Sequence, residues 1–240
     1  MTRPEEDAGA AANALHALGH DVHRAPLMEI MLDAPRPLNL DGVQAFLATS
    51  ANGVRALVHQ RADAPRLGLP ILCVGDATAR TAREHGFQMV HSAGGDVESL
   101  AGLVRTTLSP AAGRLIHVAG KARAGNLATF LQPDGFTVTI EQLYRAEPVS
   151  PLGEDTVSAL KDGDLDAVLL YSPRSARLFV EQIAAGKLED EARALEYFCL
   201  SQAVTRELEP LHIDAMHLNV ASEPTQAALF NLLEKKPHNR

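Results

Sequence analysis

The sequence has little cysteine, a deficit of basic charge and no long apolar run. Its two cysteines, Cys73 and Cys199, exclude a disulfide framework, and their places inside apolar strand-like runs mark them as small buried residues. Lys and Arg number 22 against 30 Asp and Glu, giving a formal charge of -8 that excludes a broad basic face for nucleic acid. Any anionic ligand must then be held locally. No segment offers the roughly 18 uninterrupted apolar residues of a membrane span. The first 30 residues show no basic start followed by an apolar core. A cytoplasmic protein with no membrane partner is expected.

Several motifs are absent as well. Gly120-Lys121 lacks the upstream glycine and the following Ser or Thr of a phosphate loop, and Gly94-Gly95 with Gly102 lacks dinucleotide spacing. There is no Gly-x-Ser-x-Gly elbow and no His-Glu-x-x-His, so a nucleotide cofactor, a serine hydrolase and a zinc hydrolase all lack an anchor. His16, His20 and His23 cluster without a Cys or carboxylate at ligand spacing; they read as surface residues, and no metal is expected.

What the chain does contain is a repeated phrase. Thr49-Ser50-Ala51-Asn52-Gly53-Val54-Arg55 and Tyr171-Ser172-Pro173-Arg174-Ser175-Ala176-Arg177 both follow apolar runs and share Ser and Arg in one register, 122 residues apart. A second pair, Cys73 to Arg80 and Cys199 to Arg206, shares Cys, Ala and Arg at an offset of 126. Such a period is far beyond the roughly 20 to 50 residues of a solenoid unit. It points to two similar domains of about 100 residues each, facing one another across a cleft.

Between these phrases, apolar strand-like runs alternate with helical patterns, the signature of mostly parallel α/β sheets. A helix is predicted from Glu5 to Leu18, a strand from Asp21 to Ala25, and a proline-rich linker over 26–37 that carries a short strand. The β/α block 38–136 makes one domain. Residues 1–25 with 149–240 make a discontinuous second one, and 137–148 form the return linker, open to pairing with 26–37. A helix is predicted over Gly125 to Leu131, and the tail from Lys235 reads as frayed.

In open parallel sheets, ligands bind beyond the carboxyl ends of the strands, where helix N-termini present free N–H groups. Ser172-Pro173 is an N-cap followed by proline at the first helical position, and Asp76, Ser201 and Ser222 have similar capping contexts. Several such termini together would suit a polycarboxylate, each contributing about 0.3 to 1 kcal/mol. Ordinary helix capping accounts for each of these residues equally well.

Thr2-Arg3-Pro4, the run Thr49 to Val54, Val74-Gly75-Asp76-Ala77-Thr78-Ala79, Tyr144-Arg145 and Tyr171-Ser172-Pro173 together resemble the uroporphyrinogen-III synthase family in order and spacing along nearly the whole chain. The resemblance implies two flavodoxin-like α/β domains joined by a two-stranded linker ribbon. It also implies a cofactor-free lyase that cyclises the small-molecule substrate hydroxymethylbilane to uroporphyrinogen III, with loss of water and inversion of the last pyrrole ring through a spiro intermediate. Tyr144 matches the family's important tyrosine and is the catalytic candidate, its phenol donating to the departing hydroxyl. The alternative for Tyr144 is an apolar linker residue with its hydroxyl in water. Arg3, Ser50, Thr78, Ser172 and Ser201 are the substrate-binding candidates, whereas Arg55, Arg80, Arg177 and Arg206 lie within helices and face solvent or Glu partners.

Two features depart from the family pattern. Its members carry apolar residues ahead of Thr-Arg-Pro, so the first strand is expected to be missing or stunted here, and Ala203-Val204 stand where some relatives have threonines. The protein is expected to act as a monomer with two mobile domains, with transient contact with the upstream deaminase left open. The rival from another class is a bilobal binding protein that holds a small anionic metabolite and does no chemistry.

Overall fold

The computed structural model describes residues 1–121 and 126–235, and the chain divides into two compact units. One is Met1–Glu29 together with the residues from Glu147 onward; the other is Ile30–Ala146. The chain opens with α1 (Glu5–Ala17), which has three acidic residues in its first turn and stops before Gly19, whose φ of +86° suits a residue without a side chain.

Then come β1 (Met28–Leu32), β2 (Val43–Ala48), α2 (Ala51–Gln60), β3 (Ile71–Cys73), α3 (Asp76–Glu84), β4 (Val90–Ser92), α4 (Val97–Thr107), β5 (Arg114–Gly120), α5 (Asn126–Leu131) and β6 (Val138–Pro148). Their strands form one sheet in the order β1-β6-β5-β2-β3-β4, and the pairs from β6 through β4 are parallel. Both faces are covered, which is why β2, β3 and β5 read as unbroken apolar runs. Phe46, Ile116, Val118 and Leu143 pack with Val54, Leu57 and Ala79 from α2 and α3. Leu47, Leu72 and Leu115 pack on the opposite face with Leu100, Val104 and Leu127 from α4 and α5.

The remaining elements are α6 (Glu154–Asp162), β7 (Ala167–Leu170), α7 (Pro173–Gly186), α8 (Glu189–Arg193), β8 (Glu196–Cys199), α9 (Gln202–Arg206), β9 (Leu218–Val220) and α10 (Gln226–Lys235). Here β7, β8 and β9 form a second parallel sheet. Leu170 and Tyr197 pack with Phe179 and Ile183 of α7, and Leu169 and Phe198 pack with Ala8, Ala12 and Leu229 of α1 and α10. The two mostly parallel α/β sheets are those that the alternation predicted. Cys73 and Cys199 are fully buried and unpaired, and desolvation pushes each thiol up to about 12.

The structure differs from the sequence reading in several places. Residues 138–148 of the return linker form an eleven-residue strand beside β1 of the first linker, and the difference is that this strand also joins β5, from Leu115↔Val138 to Gly120↔Tyr144. Asp21 to Ala25 is not a strand: its backbone is held by two bonds to Met1 and not by a regular ladder. The Met1 ammonium donates to His23 O at 2.7 Å, Ala25 N donates to Met1 O at 2.9 Å, and the Thr2 hydroxyl donates to Leu169 O of β7 at 2.7 Å. The short α8 went unpredicted, since Glu-Asp-Glu-Ala-Arg has no apolar period. Two caps move: Gly75 rather than Asp76 is the N-cap of α3, and it is Thr225, not Ser222, whose hydroxyl accepts an N–H at the start of α10. Gly125 of the predicted fifth helix, and the polar tail beyond Lys235, lie outside the described residues.

Candidate functional site

In the unit formed by Ile30–Ala146, β2, β5 and β6 run parallel, so their carboxyl ends lie side by side. Ser50 follows β2 directly. Its backbone is extended (φ -157°, ψ 157°), and its Oγ accepts from Gly53 N at 3.1 Å, capping α2. The same Oγ lies 2.7 Å from the Tyr144 hydroxyl on β6. Of the proposed residues, these two are directly bonded.

A bulge makes that contact possible. Ala119 pairs with Gln142, but Gly120 pairs with Tyr144, so Leu143 is the extra residue. Without the shift, Tyr144 would alternate to the face opposite Leu143. With it, Leu143 is fully buried against Phe46 and Val118, and Tyr144 packs against that same cluster, the side on which α2 sits. Lys121 N donates to Tyr144 O at 3.0 Å and closes the bulge.

Two glycines let the parts approach. A Cβ on Gly53 would lie 2.8 Å from the carbonyl oxygen of Val118, so only glycine allows the first turn of α2 to press on the end of β5. A Cβ on Gly120 would lie 2.8 Å from Cε2 and Cζ of Tyr144, so the phenol ring rests where a side chain would otherwise stand. Behind them, His117 of β5 is buried, with Nε2 3.2 Å from the Thr49 hydroxyl and no partner for Nδ1 among the described residues. Burial holds its pKa down to about 4, so the ring is neutral at pH 7. Thr78 is buried in the first turn of α3. A cavity of about 590 Å³ lined by Pro35, Leu38, Gln60 and Arg61 lies at the opposite end of α2, away from Tyr144.

The other unit collects its candidates likewise. Ser172 caps α7 from an extended backbone (φ -153°, ψ 154°) and accepts from Ser175 N at 3.1 Å, while the Ser175 hydroxyl bonds back to Ser172. Ser201 is the N-cap of α9 with no side-chain cap bond. Arg3 donates from Nη1 to Gln226 Oε1 of α10 at 2.7 Å, and its guanidinium lies 4.8 Å from the centre of the Tyr171 ring. Tyr171 itself was not proposed from the sequence. Its hydroxyl is buried with no partner among the described residues, and burial raises its pKa to about 12. Arg177 forms the expected helix-surface pair, 3.0 Å from Glu207.

Against proteins of known kind, residues 9–231 match the family model described as uroporphyrinogen-III synthase HemD. The chain belongs to the uroporphyrinogen-III synthase family. That family is a lyase-type family of porphyrin and haem biosynthesis, and a binding protein without chemistry is not favoured. The uroporphyrinogen-III synthetase of Helicobacter pylori is 18% identical over 90% of this chain and 95% of its own, with a TM-score of 0.64, which establishes the fold. A mutant uroporphyrinogen III synthase of Thermus thermophilus is 19% identical over 95% of both chains, with a TM-score of 0.49. No curated protein matches. No helix among the described residues is long and apolar enough to cross a membrane.

Proposed function

We propose that this chain converts hydroxymethylbilane to uroporphyrinogen III and that Tyr144 is its proton donor. The observation that carries the second part is the 2.7 Å bond between Tyr144 and Ser50 at the shared carboxyl end of β2, β5 and β6. In the first step the phenol gives its proton to the terminal hydroxyl, the C–O bond breaks with its electron pair leaving on water, and the pyrrole nitrogen stabilises the cation. The cation bonds to the already substituted α-carbon of the last pyrrole to give the spiro intermediate; the bond from that carbon to its original methylene bridge then breaks, and the methylene cation so released bonds to the ring's free α-carbon, which sheds one proton. That proton returns the phenolate to the phenol, so the cycle balances with loss of one water.

The substrate carries carboxylates on every ring, and helix N-termini, those of α2 and α3 in one unit and of α7 and α9 in the other, are suited to receive carboxylates. In this reading Ser50, Thr78, Ser172 and Ser201 stand at those N-termini and Arg3 supplies a charge. The segments 26–37 and 137–148 serve as the connecting ribbon between domains 1–25 with 149–240 and 38–136. The protein works in the cytoplasm as a monomer, and the instability of hydroxymethylbilane favours transient contact with the deaminase that makes it.

Incubation with freshly generated hydroxymethylbilane, followed by resolution of the type I and type III isomers, tests the activity; type I alone would refute it. Tyr144→Phe is expected to lower kcat on the order of 100-fold, the low end of what general acids contribute. Unchanged turnover in this variant would remove Tyr144 from the mechanism.

A further inference from the structure

We infer that Ser50, Gly53 and Gly120 form a seat that holds the Tyr144 phenol and aims its proton, and that Ser50 acts on the reaction through Tyr144 and not by touching a substrate carboxylate. This rests on Tyr144 being the proton donor. Four observations carry it independently of one another: the Ser50 Oγ to Tyr144 Oη distance of 2.7 Å, the cap bond from Gly53 N, the phenol ring on Gly120, and the bulge that turns Tyr144 to the α2 side.

Either hydroxyl can donate in the Ser50–Tyr144 bond, and the role of Tyr144 as proton donor selects the direction. Ser50 Oγ accepts from Gly53 N, which leaves it one hydrogen to give and one lone pair. If Tyr144 donated to Ser50, the phenol proton would be committed inside the protein. If Ser50 donates to Tyr144, the chain runs Gly53 N–H to Ser50 Oγ–H to Tyr144 Oη–H, and the phenol proton is not spent on Ser50. Each donor in such a chain polarises the next, and its first link is an N–H at the positive end of α2. After transfer, the Ser50 hydroxyl remains as a donor to the phenolate, stabilising the charge only once it has formed. That is the pattern of help that raises kcat without tightening the bound substrate.

Gly120 supplies the sideways restraint. An added Cβ would lie 2.8 Å from Cε2 and Cζ of the ring and 3.2 Å from its hydroxyl, so the phenol would have to shift from its place beside Ser50. Gly53 supplies the depth, because any side chain there meets a main-chain oxygen that cannot rotate aside.

The test is a double-mutant cycle on the full chain. Ser50→Ala is expected to lower kcat about tenfold, with KM held within about twofold, and to cause no further loss in the Tyr144→Phe background. Ser50→Thr, which keeps the hydroxyl, is expected to restore most of the rate. Because Ser50→Ala also removes a helix cap, Gly120→Ala provides a second arm that leaves the cap intact; it is expected to give the same kcat loss and the same silence in Tyr144→Phe.

Tyrosinate absorbance supplies a readout separate from turnover. The chain has three tyrosines, and burial pushes Tyr171 up to about 12 and Tyr197 upward as well. The step that Tyr144→Phe abolishes is expected to move to higher pH in Ser50→Ala. Equal losses from Ser50→Ala in both backgrounds, or a loss confined to KM, would show that Ser50 meets the substrate itself and would overturn the seat. Full turnover in Tyr144→Phe would instead overturn the donor assignment, so the two failures are distinguishable.

Discussion

Ser50 and Ser172 occupy matching places in the two units, and their local geometry is nearly identical. Each is an extended N-cap after a parallel strand, and each accepts an N–H from the third helical residue at 3.1 Å. They differ in what that third residue is. In the α7 start it is Ser175, whose hydroxyl bonds back to Ser172 N and lies 3.0 Å from Ser172 Oγ, so the cap is closed on itself. In the α2 start it is Gly53, which has nothing to return, and the second valence of the Ser50 hydroxyl is taken by Tyr144. One phrase therefore makes a self-contained cap in one place and an open one, bonded to a distant strand, in the other. The residue three positions on decides between them.

The residues just before the two serines extend the contrast and give the largest expected effect. Thr49 bonds the buried His117, while Tyr171, its counterpart, leaves its hydroxyl without a partner among the described residues. A histidine held neutral to about pH 4 against an ordinary value of 6.5 leaves full stability in place above pH 6.5. As pH falls from 6.5 to 4 the unfolded chain gains a proton that the folded one refuses, and stability drops, by on the order of 3 kcal/mol at most. Urea midpoints taken at pH 7 and pH 5 are expected to differ markedly less in His117→Leu than in the natural sequence. An unaltered pH slope would show that the ring is not the buried titrating group.

Next in size is an attempt to convert the open cap into the closed one. Gly53→Ser installs the residue of the α7 start, but its Cβ would meet Val118 O, so a loss of about 1 to 3 kcal/mol in unfolding free energy is expected, together with slower turnover. If this variant were as stable as the parent and equally active, the third helical residue would not be what separates the two caps. The smallest effect is the reverse experiment. Ser175→Ala opens the closed cap, and a destabilisation of about 1 kcal/mol with unchanged kcat is expected from denaturation and steady-state kinetics. A turnover defect there would mean that the α7 cap also takes part in the chemistry.

Much of the frame was legible in the sequence, because it rests on patterns local to the chain. Apolar runs such as Ala45 to Ala48 and Leu115 to Ala119 alternate with helical periods, and parallel strands covered on both faces leave just such runs. Ser50 and Ser172 were visible as caps because an N-cap is a local device. What escaped depends on partners far along the chain. Gly120 was weighed only as half of a phosphate motif, since its role under the Tyr144 ring exists only once β5 and β6 are paired. The cap of α3 was placed one residue late because Asp76 is a good capping residue by type, yet its carboxylate accepts from Ser92 instead. Residues 21–25 have strand composition but too little ladder beside them. His117 lay inside an apolar run, and nothing local sets a core histidine apart from its neighbours.

The bulge at Leu143 behaves like a frameshift in a two-letter code. A strand spells inward and outward in strict turn, and one surplus residue reverses the spelling of everything after it. Loss of a single residue between Thr139 and Leu143 would restore the even spelling with the tyrosine still opposite Gly120, and would send the residue before it to the other face of the sheet. Length, and not only composition, is therefore heritable information in β6: the surplus residue lets Leu143 and Tyr144 both serve the α2 side, and a chain one residue shorter there would keep only the tyrosine on it.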